Sequence, residues 1–251
     1  MSINRSNTPR KAVITGATSG IGREVAKVLA SQGWEIAVAG RREERLVELQ
    51  KELPHVVAIK RIDVTDKDAP QKLEELILEL GGMDLYFHSS GIGYQNVDLD
   101  VEKEMATVAT NGMGFTRMVT AAFHYFSAHP GQKGHIAVIS SIAGTKGLGA
   151  SPAYSSTKRF QSHYMECLAQ LAHIRGLDIA FTDIRPGFVT TELIQDCNYP
   201  MNMDAAYVAR KIVSGINRKK YVLTIDWRYR IIVAFWRLVP GWLWRRMKIK
   251  S

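Results

Sequence analysis

Short runs in which nearly every position is apolar alternate along this chain with longer stretches of helical periodicity. The runs are KAVITG (11–16), EIAVAG (35–40), VVAIKRIDV (56–64), DLYFHSS (84–90), HIAVISS (135–141) and DIAFTDI (178–184), followed by a weaker YVLTI (221–225). Strands covered on both faces have this pattern, because neither side of the pleat has to meet water. The segments between the runs are long enough for crossover helices, so the order predicts an α/β fold, a doubly wound parallel sheet. Ligands of such sheets sit beyond the carboxyl ends of the strands, which is where chemistry should be sought.

No repeat, low-complexity segment or linker rich in Gly, Pro or Ser divides the 251 residues. One domain over residues 10–225 and a tail over 226–251 are therefore expected. The tail changes character: Ile231, Phe235, Leu238 and Trp242 recur at intervals of four, three and four, while Arg230 and Arg237 share another face. That is an amphipathic helix, to be bent or broken at Pro240 and Gly241. The net charge of +9 also belongs here, since residues from Arg210 onward carry twelve Lys and Arg against one acid, Asp226. The rest of the chain is slightly acidic.

Three readings of the tail compete. Residues 227–250, rich in Trp, Arg and Lys, could lie in an anionic membrane interface. They could instead pack as a lid over a cleft or against another subunit. Nucleic-acid binding ranks last and is not expected, because the charge comes with no reading element. Cys167 and Cys197, the only cysteines, form neither a CxxC pair nor a ligand cluster, so no metal site is expected and a reduced compartment fits best. The polar start lacks the apolar centre of a signal peptide, and Arg237 interrupts the one long apolar stretch. The expected location is cytoplasmic, at most peripheral at the inner face of a membrane.

The first run leads into TGATSGIGRE, which places Gly16, Gly20 and Gly22 at a strand-to-helix turn, with Thr18, Ser19 and Ile21 between them. A dinucleotide pyrophosphate needs close approach to backbone N–H groups at such a turn. The second run ends at Gly40, where an NAD site usually offers an acid to the ribose, but here Arg41 and Arg42 follow. Arginines at a helix start oppose the dipole, and a bound 2′-phosphate would offset that, which favours NADP(H). Arg45, Glu48 and Lys51 read as a solvated face of the same helix. Asp63 and Val64 end the third run where adenine would lie, although an ordinary turn role for Asp63 is almost as good a reading.

Ser140 and Ser141 close the fifth run, and YSSTK follows with Tyr154 and Lys158 four apart on one helical face. A tyrosine titrating near pH 10 is a poor acid or base at neutral pH, and an adjacent ammonium together with an oxidised nicotinamide would lower that value.

Taken together these motifs resemble those of the short-chain dehydrogenases/reductases, over roughly residues 10–225. TGATSGIG is similar to the family's TGxxxGIG, NGMG (Asn111–Gly114) to its Asn-containing helix motif, Tyr154 and Lys158 to YxxxK, and RPGFVTT to PGxVxT. The resemblance implies a Rossmann-type fold and a tetrad of Asn111, Ser141, Tyr154 and Lys158. Ser141 takes the catalytic place because it stands thirteen residues before Tyr154, the family's spacing, which leaves Ser140 structural. Tyr154 would exchange the proton of a carbonyl or alcohol substrate, Ser141 would hold the oxygen, Lys158 would bind the nicotinamide ribose, and Asn111 would support a relay water. Pro186, Gly187, Val189 and Thr191 would hold the nicotinamide end, and homodimers or homotetramers are implied through the helix that carries Tyr154. One departure is the HSSG of residues 88–91 where the family reads NNAG; Gly91 keeps the close approach beside the cofactor, and His88 is expected to bond to backbone. Substrate contacts are expected from residues 92–97, 145–151 and the segment after Thr191, with Gly147, Leu148, Gly149 and Phe188 forming an apolar, partly open cleft.

Overall fold

The computed structural model describes residues 8–192 and 201–249. Each of the seven runs forms a strand: β1 (Lys11–Thr15), β2 (Glu35–Gly40), β3 (Val56–Arg61), β4 (Leu85–His88), β5 (Gly134–Ile139), β6 (Ile179–Pro186) and β7 (Val222–Ile225). They pair in parallel in the order β3-β2-β1-β4-β5-β6-β7. The order grows outward from β1 in one direction and from β4 in the other, so the turns leaving these two strands diverge and open a crevice.

One face is covered by α1 (Gly20–Ser31), α2 (Glu43–Glu52) and α7 (Ala205–Asn217), whose Leu29, Leu46 and Ile212 pack with Ile14, Ile36 and Val38 of the sheet. The other is covered by α3 (Ala69–Leu80), α5 (Phe115–Ala128) and α6 (Pro152–Ile174), with Leu73, Phe115 and Met165 against Val13, Tyr86 and Ile136. Alternate residues of β1 and β2 thus enter opposite cores. Each fully buried Leu, Ile or Phe stabilises the fold by about 1.5–3 kcal/mol, so a one-residue slip of register would be costly on both faces at once.

α4 (Val101–Val108), capped by the Asp100 carboxylate on the N–H groups of Glu102 and Lys103, passes through a π-helical turn at Ala109–Gly114 and continues as α5. Such turns often mark functional positions, and Asn111 sits inside this one. The tail forms α8 (Trp227–Leu238) and α9 (Gly241–Trp244), with the expected break between them at Val239 and Pro240.

The tail helices are tied to the body. Tyr229 and Val233 belong to the core beneath α1 and α7. The Trp244 indole donates to the Gly147 carbonyl at 2.7 Å, and Lys146 Nζ donates to the Val239 carbonyl at 2.9 Å. The stripe of Ile231, Phe235, Leu238 and Trp242 has the helical spacing expected of it, yet it points away from the body; Phe235 is 65% and Leu238 78% exposed.

Candidate active site

The crevice is a continuous cavity of about 610 Å³, within the range of small-molecule and cofactor sites, and it runs from the glycine turn past Tyr154 to the tail. At its inner end Gly16 has φ +81°, and a Cβ there would lie 2.6 Å from the main chain of Ser89 and Ser90. A Cβ on Gly22 would collide with the Gly16 carbonyl. Only glycine lets the turn, the start of α1 and the end of β4 approach this closely. Gly16, Thr18, Ser19, Gly20 and Ile21 all line the cavity, so the cradle fits a pyrophosphate at a helix N-terminus. Gly22 supports it from behind.

Arg41 and Arg42 rim the same end of the cavity, together with Asp63 and Val64. Arg42 is the N-cap of α2; it donates to Thr18 Oγ1 at 3.1 Å and Ser19 Oγ at 2.8 Å, and pairs with Glu192 at 2.7 Å. Glu43 and Glu44 occupy the first turn of α2, so the dipole is already complemented and does not by itself call for a phosphate. What favours an anion here is placement: a guanidinium held beside the glycine turn by two hydroxyls. Arg45 lies 3.9 Å from Glu192, so its partner is across the cleft and not on its own helix. Asp63 Oδ1 accepts the N–H and the hydroxyl of Thr65, closing a turn. Burial raises the Asp63 pKa, but Thr65, Arg41 and Arg61 outweigh it and hold the carboxyl below its ordinary value.

At the centre, Asn111 is fully buried and clamps the loop after β4: its Oδ1 accepts the Ile92 N–H at 2.9 Å and its Nδ2 donates to the Ile92 carbonyl at 2.7 Å. A Cβ on Gly91 would stand 3.2 Å from Asn111 Oδ1 and 3.5 Å from Lys158 Nζ. Lys158 Nζ donates to the Ile139 carbonyl at 2.8 Å and to Gln161 Oε1 at 3.0 Å, while Gln161 Nε2 donates to the Asn111 carbonyl at 2.9 Å. An ammonium can only donate and a carbonyl can only accept, so this orientation of the amide is fixed by its partners. The place beside Asn111 that the resemblance gives to a relay water is thus bridged to Lys158 by a side chain. Burial lowers the Lys158 pKa to about 8, against the pull of the Asp183 carboxylate.

Tyr154 and Ser141 face the same cavity. Ser141 Oγ accepts the Ala143 N–H at 3.1 Å, which leaves its own proton to donate. Burial pushes the Tyr154 phenol above its ordinary pKa, and the hydrogen bond with Ser141 works in the opposite direction. The lowering expected at Tyr154 is therefore not supplied by the protein groups alone; Lys158 Nζ stands 5.7 Å from the centre of its ring. Ser140 also lines the cavity, but its hydroxyl is taken up by the Asp183 carboxylate and the Ile184 carbonyl.

Pro186, Gly187, Val189 and Thr191 line the same cavity as Tyr154. A Cβ on Gly187 would collide with the Tyr229 ring, and the Tyr229 hydroxyl accepts the Phe188 N–H at 3.2 Å. Leu148, Phe188, Met201, Ile232 and Trp236 make the outer end apolar. Gly147 and Gly149 do not line the cavity, although Leu148 between them does; the Gly147 carbonyl instead accepts the Trp244 indole N–H. Residues 193–200 of the segment after Thr191, Cys197 included, lie outside the described residues.

A model of the short chain dehydrogenase family matches residues 10–202. The chain belongs to the short-chain dehydrogenase family. It is 32% identical over 240 residues to an uncharacterised oxidoreductase of Myxococcus xanthus, covering 92% of this chain and 93% of that one. Among solved structures, a short-chain dehydrogenase/reductase from Burkholderia phymatum in complex with NAD superposes with a TM-score of 0.82 at 19% identity, covering 97% of each chain. An alcohol dehydrogenase from Thermococcus sibiricus complexed with 5-hydroxy-NADP superposes with a TM-score of 0.76 at 23% identity, covering 88% of this chain and 98% of that one. These two likenesses establish the fold.

Within this short-chain dehydrogenase, His88 replaces the family's first asparagine. It is fully buried, with Nδ1 3.2 Å from Thr15 Oγ1 and 3.0 Å from the Tyr86 hydroxyl, so it joins β1 to β4 through side chains. Burial holds its pKa down at about 3. Sequence reading did not find Gln161, Glu104, Glu192 or Tyr229. Glu104 accepts the Ala153 N–H at the start of α6 at 2.9 Å and Asn96 Nδ2 at 2.8 Å, fixing the helix of Tyr154 to the loop after β4. Asp183 could have been noticed, since a carboxylate inside an apolar strand needs a partner.

Proposed function

We propose that this protein is an NADP(H)-dependent oxidoreductase that transfers a hydride between nicotinamide and a carbonyl or alcohol substrate of lipophilic character. The observation that carries the reading is the convergence of Ser141, Tyr154 and Lys158 on one cavity that begins at a glycine cradle rimmed by Arg41 and Arg42. The cradle, Asp63 and Val64 would hold the adenosine and pyrophosphate; Lys158, Pro186, Gly187, Val189 and Thr191 would hold the nicotinamide end. Arg42, held by Ser19 and Thr18, supports the choice of NADP(H), because a guanidinium fork suits a phosphate better than a ribose hydroxyl.

Bound NADPH would supply the hydride to the carbonyl carbon. Ser141 donates to the substrate oxygen, and Tyr154 O–H delivers the proton that turns the developing alkoxide into an alcohol; in the reverse direction the phenolate takes that proton back. Lys158 keeps a cation beside the phenol, and Gln161 keeps Lys158 in place. The apolar outer wall supports a lipophilic substrate, since the described residues there offer no cation to hold a carboxylate or phosphate. Met105, Met113 and Phe160 are exposed along α4, the π-helical turn and α6, which supports association as a homodimer or homotetramer. Among the described residues no helix is long and apolar enough to cross a membrane. The location proposed with this function is the cytoplasm, with peripheral attachment at the inner face of a membrane.

The test is a Tyr154→Phe variant assayed for NADPH oxidation with a panel of lipophilic ketones and aldehydes. Turnover should fall by about 10²–10⁴-fold while NADPH binding is kept. Unchanged turnover would remove Tyr154 from the chemistry, and no turnover by the wild type together with tight NADPH binding would favour a regulatory nucleotide-binding protein.

A further inference from the structure

We infer that the outer face of α8 and α9 is a docking surface for an anionic lipid bilayer. Around α8 the residues sort by direction. Tyr229 and Val233 point into the core, Ile232 and Trp236 reach the cavity, and Trp227, Ile231, Phe235 and Leu238 form a stripe on the opposite side. Arg230 and Arg237 flank that stripe. Beyond the break, Trp242, Leu243 and Met247 extend the exposed apolar surface. Arg246 lies 5.9 Å from the centre of the Trp242 ring.

Water is a poor solvent for such a stripe, and a contiguous exposed apolar face rimmed by polar groups marks an interaction site. Charge selects the occupant. Residues 227–249 hold six Lys and Arg and no acid, and Asp226, just before them, is engaged by Arg228 at 2.8 Å. A second copy related by a two-fold axis would set the same cationic face against itself, at the cost of desolvated like charges. An anionic headgroup layer meets both demands, with Trp and Phe entering the interface and arginines staying at headgroup level.

The proposal also bears on the cleft and there rests on the oxidoreductase reading. α8 is a shared wall: its inner side lines the cavity through Ile232 and Trp236, and its outer side is the stripe. A bilayer docked on that stripe lies one helix away from the apolar mouth, so a membrane-dissolved substrate would have a short route to Tyr154.

Co-sedimentation of the full-length protein with vesicles of phosphatidylcholine alone, and of phosphatidylcholine mixed with phosphatidylserine, tests the docking. The wild type should bind both kinds, the mixed vesicles more tightly, and that excess should shrink at high salt. A Phe235→Ser, Leu238→Ser double variant should lose binding to both kinds. An Arg230→Gln, Arg237→Gln double variant should lose about thirtyfold on the mixed vesicles only. All four positions are exposed, and each variant should keep the circular dichroism and NADPH titration of the wild type. A wild type that stays in the supernatant with anionic vesicles overturns the inference, as does binding that the Phe235 and Leu238 changes leave intact. Light scattering that shows a dimer dissociated by Leu238→Ser would make this face a subunit interface and overturn it too. Vesicle binding and NADPH turnover are read separately, so failure of one is distinguishable from failure of the other.

Discussion

Lys158, Tyr154 and His88 show how burial sets the chemistry of single residues here. The ammonium is brought down to about pH 8 and the imidazole to about 3, while the phenol is raised. Because His88 is depressed in the folded state, unfolded chains bind more protons below about pH 6.5, and stability is lost as pH falls toward 3. His135, depressed to about 4 by burial, acts in the same direction. The slope is about 1.4 kcal/mol per pH unit for each histidine at most. A His88→Asn variant should therefore unfold at a lower pH than the wild type in an acid titration followed by circular dichroism. An unchanged midpoint would mean that His88 is protonated in the folded state. At this scale the sequence was legible where spacing carried the meaning, as in Tyr154 and Lys158, four apart on α6 and both on the cavity wall. It was silent about Gln161, whose two partners stand fifty residues and three residues away, a relation that only the packing of α6 on the π-helical turn creates.

The elements bring such residues together, and the start of α2 shows how. Arg42, at the N-cap position of that helix, reaches across the cavity mouth to Glu192, which follows the strand-end loop after β6. Both side chains are about 40% exposed, so the pair is worth little as a stabilising contact. It does compete for the guanidinium that a 2′-phosphate would need. Changing Glu192→Gln should tighten NADPH binding by up to about fivefold and leave NADH binding unaltered in parallel titrations. Equal gains for both nucleotides would place the effect on the loop and not on the phosphate. The helix start itself was visible in the sequence as two arginines after Gly40. Its partner was not, because Glu192 is 150 residues away and nothing local marks it.

Over the whole molecule, the seven apolar runs became seven strands because a parallel sheet buried on both faces leaves continuous apolar sequence. The glycine turn, Tyr154 and Lys158 fell at the carboxyl ends for the same topological reason. The tail was legible in period and break but not in direction, since a helix with apolar residues on two sides satisfies the stripe rule either way round; Tyr229 and Trp236 hold the inner side and leave Phe235 and Leu238 outside. We propose that one cavity joins an NADP(H) cradle to the Tyr154 site. The most direct test is fluorescence titration of NADPH and NADH against the purified protein and an Arg42→Ala variant. The wild type should prefer NADPH, and the variant should lose at least about tenfold in NADPH affinity while its affinity for NADH is kept. Equal binding of the two nucleotides by the wild type, or a preference that survives the loss of Arg42, would contradict the account.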